Sequence, residues 1–206
     1  MLLAVLTCQS ATETAQRHWP NWNKYFKKQE VVFVTTVDSN CWVPDGVQQW
    51  KIGRDYYPDR DKPDANLPQR TMDVLAVFLK TGDERLVLIE YDVVLFARPK
   101  LKAEFSGTMF SEFIHSPWCF TRECARKFLH TGSVLLDHGV ISGGWPDRHL
   151  RLIHDLLLPE RDINANYSQN TLDQPWMLQS ARHAVAGGAF GIHGVKTKEQ
   201  FDAITR

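Results

Sequence analysis

The stretch Leu86–Phe96, LVLIEYDVVLF, decides how this chain is read. Its first four residues form a continuous apolar run, as expected of a strand covered on both faces of a sheet. The run then breaks into Glu90-Tyr91-Asp92. In extended backbone, residues i and i+2 point to the same face, so two carboxylates arrive side by side. Paired carboxylates near a buried strand end repel one another and resist desolvation unless a cation joins them. A hard divalent ion, Mn²⁺ or Mg²⁺, bridging carboxylate and substrate phosphate is the economical partner. An acidic turn with both groups in water is the alternative.

Working outward, Leu2–Thr7 and Val31–Thr36 are short apolar, β-branched runs of strand length. Between them Trp19–Lys28 is read as a helix with Pro20 in its first turn. Asp38–Leu67 is polar and carries Pro44, Pro58 and Pro63, a long loop of the kind that often has a function. Pro68–Lys80 has helical spacing at Met72, Leu75, Ala76 and Leu79, with Gly82 to stop it. Further helices are expected at Thr121–Leu129 with Thr121 as N-cap, at Asp147–Leu157, at Pro175–Ala186, and at Thr197–Thr205 capped by Thr197. Phe190–Ile192 reads as a short strand, and Gly139–Pro146 as a glycine-rich turn. Strands alternating with helices predict an α/β domain with a mostly parallel sheet, which holds its ligand beyond the carboxyl ends of the strands.

The chain has 206 residues, a length suited to one domain. Its 24 basic side chains balance 24 acidic ones, which excludes a basic nucleic-acid-coating protein and an acidic disordered tail. The start, MLLAVLTCQS, lacks a basic leader and a long apolar core, and is read as a buried strand. No run approaches the length of a membrane span. Cys8, Cys41, Cys119 and Cys124 have no zinc-type spacing and are expected to be free thiols in a reducing cytoplasm.

Three further motifs follow the acidic strand end in order. Gly143-Gly144 forms a glycine-rich loop, Asp147 in WPDRHL opens a helix, and His193 lies between glycines in GIHG. With Glu90-Tyr91-Asp92 as a D-x-D-type motif, the chain resembles a GT-A glycosyltransferase over Leu2–Ile204. It departs from that pattern in having Glu at the first motif position and in lacking a Glu-Asp pair at the acidic helix start. The resemblance implies a single GT-A, Rossmann-like domain over residues 1–206, with a central mostly parallel sheet flanked by helices. It also implies transfer of a sugar from a nucleotide-diphosphate sugar, UDP-linked in the first instance, to an acceptor hydroxyl with inversion.

By the same resemblance, Asp92 and His193 are the metal ligands, and Glu90 faces the ribose or a water on the metal. Asp147 is the general base, a role worth roughly 10²–10⁴-fold. Gly143 and Gly144 let the backbone approach the donor sugar. Thr7 and Gln9 line the base and ribose pocket with Tyr91, Asp38 touches the base or ribose, and Arg70 meets the diphosphate. Trp118, Phe120, Trp145 and Trp176 are either core or stacking surfaces for a sugar or base.

Basic residues cluster at Lys24/Lys27/Lys28, Arg98/Lys100/Lys102 and Arg122/Arg126/Lys127. Two clusters on one face would hold a phosphate backbone despite zero net charge. The acceptor is accordingly read as a hydroxymethylated pyrimidine in viral DNA or a bacterial surface saccharide. Two other classes compete. A nucleotidyltransferase would carry a glycine-rich phosphate loop after the first strand, and TCQSATETAQR has no glycine. A non-catalytic binding module on a degenerate transferase fold is kept open by Glu90.

Overall fold

A computed structural model describes residues 1–37, 40–53, 67–100, 102–110, 113–141, 146–157, 159, 167–168 and 175–206. The central sheet has six strands. They are β1 (Leu2–Leu6), β2 (Val31–Thr35), β3 (Gln48–Lys51), β4 (Arg85–Glu90), β6 (Phe105–Phe110) and β7 (Phe113–Thr121), in the spatial order β3-β2-β1-β4-β7-β6. β3, β2, β1 and β4 are mutually parallel, while β7 runs against both β4 and β6. The expected α/β domain with a mostly parallel sheet flanked by helices is what the chain forms.

Alternation along the strands supplies two cores. Leu2, Ala4, Leu6, Val32, Val34, Leu86, Leu88, Trp118 and Phe120 face one side. There they meet helices α2 (Leu67–Phe78), α3 (Arg122–Asp137) and α4 (Pro146–Leu157) through Leu75, Phe78, Phe128 and Ile153. Leu3, Val5, Val31, Phe33, Val87 and Ile89 face the other side, against Ala15, Trp22 and Phe26 from α1 (Thr12–Tyr25) and the residue after it. Burial on both faces is why the strands read as continuous apolar runs.

A second, three-stranded sheet joins β5 (Val94–Leu95), β9 (Gly191–His193) and β8 (Tyr167–Ser168) in the order β5-β9-β8. Helices α5 (Pro175–Ala186) and α6 (Lys198–Thr205) cover it through Ala181 and Ile204. Thr121 and Thr197 are N-caps as read, accepting from the backbone N–H groups of Cys124 and Gln200, each at 3.2 Å. Among the described residues, no helix is long and apolar enough to cross a membrane. The four cysteines are free thiols, as expected.

Three readings need correction, and one left open, that of Trp118 and Phe120, resolves to core. The first helix spans Thr12–Tyr25, so Pro20 lies inside it on the exposed side rather than in its first turn. There the Gln16 carbonyl that Pro20 cannot serve is also exposed. Strand β3 lies within the stretch taken as loop, where its Gln-Gln-Trp-Lys sequence shows only one buried residue. The β6–β7 pair was not anticipated, because Gly107 and Pro117 punctuate both strands. Trp118 and Phe120 are fully buried, and the Trp118 indole donates to the Ile114 carbonyl, so neither offers a stacking surface.

Candidate metal centre

Glu90 is the last residue of β4, at the carboxyl edge of the sheet. The chain then turns tightly, with Val93 N–H donating to the Glu90 carbonyl at 3.2 Å, and enters β5. β5 pairs antiparallel with β9, Val94 opposite Ile192 and Leu95 opposite Gly191. That pairing carries His193 back to the acidic turn from the far end of the chain. Gly194 follows at φ 85°, a left-handed conformation suited to glycine. Val195 N–H then donates to the Asp92 carbonyl at 2.9 Å.

One ligand atom from each of Glu90, Asp92 and His193 lies within 4.8 Å of the others. His193 Nε2 stands 2.8 Å from Glu90 Oε2 and 3.1 Å from Asp92 Oδ1. The Asp92 side chain is 4% exposed and that of Glu90 24%. Beyond the imidazole at 3.1 Å, Asp92 Oδ1 has no partner among the described residues, which leaves this buried carboxylate oxygen open to a further one. Lys196 Nζ approaches Asp92 Oδ2 at 4.0 Å from a side chain that is 55% exposed.

Burial alone would lower the His193 pKa, but the Asp92 and Glu90 carboxylates outweigh it and hold the ring well above its ordinary value. Burial would raise the Asp92 pKa, and the His193 ring and Lys196 ammonium outweigh it in the opposite direction. Two buried, mutually stabilised charges beside a carboxylate are a costly arrangement for stability alone. Two carboxylates and one imidazole nitrogen form a donor set that suits Mn²⁺ and remains compatible with Mg²⁺.

The residues predicted for the site fall into three groups. Glu90, Asp92 and His193 come together, with half-buried Tyr91 between the two acids. Thr7 and Arg70 meet at the carboxyl ends of β1 and β2. Arg70 Nη2 donates to the carbonyls of Thr7 at 2.9 Å and Val34 at 3.3 Å, as a buried brace between strands. Gln9 is exposed in the helical turn Gln9–Ala11 that follows β1. Asp147 occupies the first turn of α4. Asp38, Gly143, Gly144 and Trp145 lie outside the described residues, as do the side chains of Asp147 and Trp176.

Other residues at the site escaped the sequence reading. Ser116 Oγ accepts from the Glu90 N–H at 3.3 Å. The buried His115 ring stacks on His193 with centroids 6.2 Å apart. Lys196 stood only three positions after His193, which was the available signal. The basic clusters also sort themselves. Arg98 pairs with Glu30, donates to the Tyr25 carbonyl and lies over the Phe26 ring, which sets it against the segment that carries Lys24, Lys27 and Lys28. Arg98 holds the Glu30 carboxyl at a pKa of about 2. In the third cluster Arg122 braces the carbonyls of Thr81 and Asp83, while Arg126 and Lys127 pair with Glu123 and Glu104. No protein-family model matches the chain, and no curated protein matches its sequence significantly. The function is therefore argued from the chemistry of Glu90, Asp92, His193 and their neighbours.

Proposed function

We propose that this protein is a metal-dependent glycosyltransferase of the GT-A kind, moving a sugar from a nucleotide-diphosphate donor, a UDP-sugar first, to an acceptor hydroxyl. The observation that carries this reading is the convergence of Glu90, Asp92 and His193 at the carboxyl end of a mostly parallel sheet. Asp92 and His193 hold the ion, and the open Asp92 oxygen and mixed oxygen–nitrogen donor set fit it. A divalent ion bound there stabilises negative charge that collects on the departing diphosphate. Glu90, the more exposed acid, faces the ribose. Lys196 reaches from the rim and adds positive charge beside the phosphates.

Asp147 is the general base. A carboxylate in the first turn of a helix stays ionised, favoured by the helix dipole. The acceptor oxygen forms its bond to the anomeric carbon as the bond to the diphosphate oxygen breaks. The electron pair leaves with the nucleoside diphosphate, and the acceptor proton passes to Asp147, with inversion. Lys24, Lys27 and Lys28, on the segment against which Arg98 packs, support a polyanionic acceptor such as a hydroxymethylated pyrimidine in viral DNA ahead of a bacterial surface saccharide.

Calorimetry with UDP-sugars and Mn²⁺ tests the proposal. The wild type is expected to bind one donor only with Mn²⁺ present and to release nucleoside diphosphate on transfer. Asp92→Asn is expected to lose that binding while staying folded. Unchanged affinity in the variant overturns the reading, and release of inorganic diphosphate reassigns the protein to nucleotidyl transfer.

A further inference from the structure

Helix α1 makes an unusual contact with the segment that carries the two acids. Its residues Thr14, Arg17, His18, Asn21 and Trp22 recur at i, i+3, i+4, i+7 and i+8, which places them on one helical face. Such a face ordinarily presents apolar side chains to the core. Here it presents hydrogen-bonding groups to main chain. His18 Nδ1 bonds the Tyr91 carbonyl at 2.9 Å, and Trp22 Nε1 donates to the Val93 carbonyl at 2.8 Å. Asn21 Nδ2 donates to the Leu95 carbonyl and its Oδ1 accepts from the Leu95 N–H, both at 2.8 Å.

The carbonyls served belong to residues 91, 93 and 95, alternate positions running from the turn after β4 into β5. The intervening residues are served by β9 and the turn after it, through the Val94–Ile192 pairing and the Val195 N–H on the Asp92 carbonyl. The side chains of α1 therefore take the place of a neighbouring strand. The same helix also reaches the other half of the site. Arg17 Nη1 and Thr14 Oγ1 donate to the Lys196 carbonyl at 2.8 and 3.3 Å.

We propose that α1 sets the spacing of the metal-binding side chains, with His18 as the positioning residue that fixes the Tyr91 peptide between Glu90 and Asp92. A carbonyl accepts, so the His18 ring carries its proton on Nδ1. The Tyr91 carbonyl belongs to the peptide joining Tyr91 to Asp92, so fixing its plane fixes the direction in which the Asp92 carboxylate leaves the backbone. His18 bonds the Tyr91 carbonyl rather than the side chains of Glu90, Asp92 or His193, and acts through that peptide. Outer partners of this kind typically alter metal affinity 10–100-fold when removed.

This inference rests on the metal reading of Glu90, Asp92 and His193, and the experiment separates the two. Mn²⁺ binding is followed by electron paramagnetic resonance, which reports both free ion and the symmetry of the bound ion. The full chain is compared with His18→Leu, which removes the donor, and His18→Asn, whose amide N–H takes the place of Nδ1–H. Phe128→Ala, on the opposite face of the sheet, is the control for general loss of stability.

The expected result is that His18→Leu weakens Mn²⁺ binding about 10–100-fold and broadens the bound signal, His18→Asn stays within about threefold of wild type, and the control binds normally. If His18→Leu binds Mn²⁺ as the wild type does, the positioning role fails and the metal reading stands. If His18→Asn is as weak as His18→Leu, or the control falls equally, packing rather than the hydrogen bond is responsible and the role again fails. If the folded wild type binds no Mn²⁺, the metal reading fails and takes the positioning role with it.

Discussion

The two faces of the central sheet use opposite means to hold their helices. On the α2–α4 face the contact is apolar apart from Arg70 of α2, whose guanidinium donates to the Thr7 and Val34 carbonyls. Phe128 stacks 5.1 Å from Phe105 and lies edge-on to Phe120 at 5.3 Å, and Gly132 leaves room for Met72 to lie against α3. On the α1 face an apolar base of Trp22, Phe26 and Phe33 gives way, toward the carboxyl edge, to hydrogen bonds from side chains to main chain. Apolar packing fixes how far apart two layers stand but is weakly directional. A hydrogen bond to a carbonyl fixes the orientation of a peptide plane. The α2–α4 face is held mainly by packing, and the α1 face adds hydrogen bonds that orient the backbone beside Glu90 and Asp92.

The sharpest way to break this contrast is Phe128→Ala. It should cost about 3–5 kcal/mol in urea unfolding, as expected for deleting a buried ring, and leave Mn²⁺ affinity unchanged. A matching loss of metal affinity would show that the faces are not separate in function.

The next largest effect concerns acid. Burial of His18 lowers its pKa from 6.5 to about 4, against the smaller opposing influence of its bond to the Tyr91 carbonyl. Between those two values the unfolded chain takes up a proton that the folded chain refuses. Stability therefore falls as pH drops through that window, and the effect levels off below about 4. The loss amounts to about 3 kcal/mol at one proton and 1.36 kcal/mol per unit. Urea unfolding in chelator should show the wild type losing that much more than His18→Asn between pH 7 and 4. Parallel curves for the two proteins would mean that the ring is not held neutral. The smallest effect belongs to the packed face. Thr121→Ala removes the cap of α3 and should cost about 1 kcal/mol, with no change in Mn²⁺ affinity.

The same contrast explains what could be read from the chain without its structure. The helices of the packed face carry apolar stripes, and Met72, Leu75 and the Thr121 cap placed α2 and the start of α3 within a residue or two. The first helix was read seven residues late. Its apolar stripe of Ala15, Trp19, Trp22 and Phe26 is interleaved with polar Thr14, Arg17, His18 and Asn21, which hid the first two turns. Its true partner, the main chain of 91–95, leaves no trace in residue type. Glu90 and Asp92 were legible because two acids ending an apolar run are locally anomalous. His193 was legible only from its flanking glycines. His18, His115, Ser116 and Lys196 were not, since each meets the site through a residue distant in the chain: Tyr91, His193, Glu90 and Asp92 in that order.

The β5–β9 pairing has a consequence for how the protein is made. Asp92 and His193 are separated by 193 − 92 = 101 positions in the chain. At a synthesis rate of about 5–20 residues per second, the acidic turn waits about 5–20 s for its imidazole. During that interval Glu90 and Asp92 have neither the His193 ring nor the Lys196 ammonium beside them. The nascent protein thus passes through a stage in which α1 and the first four strands are complete while the acids face solution or whatever cation is at hand. At the proposed metal centre the oxygen donors are thus made first and the nitrogen last.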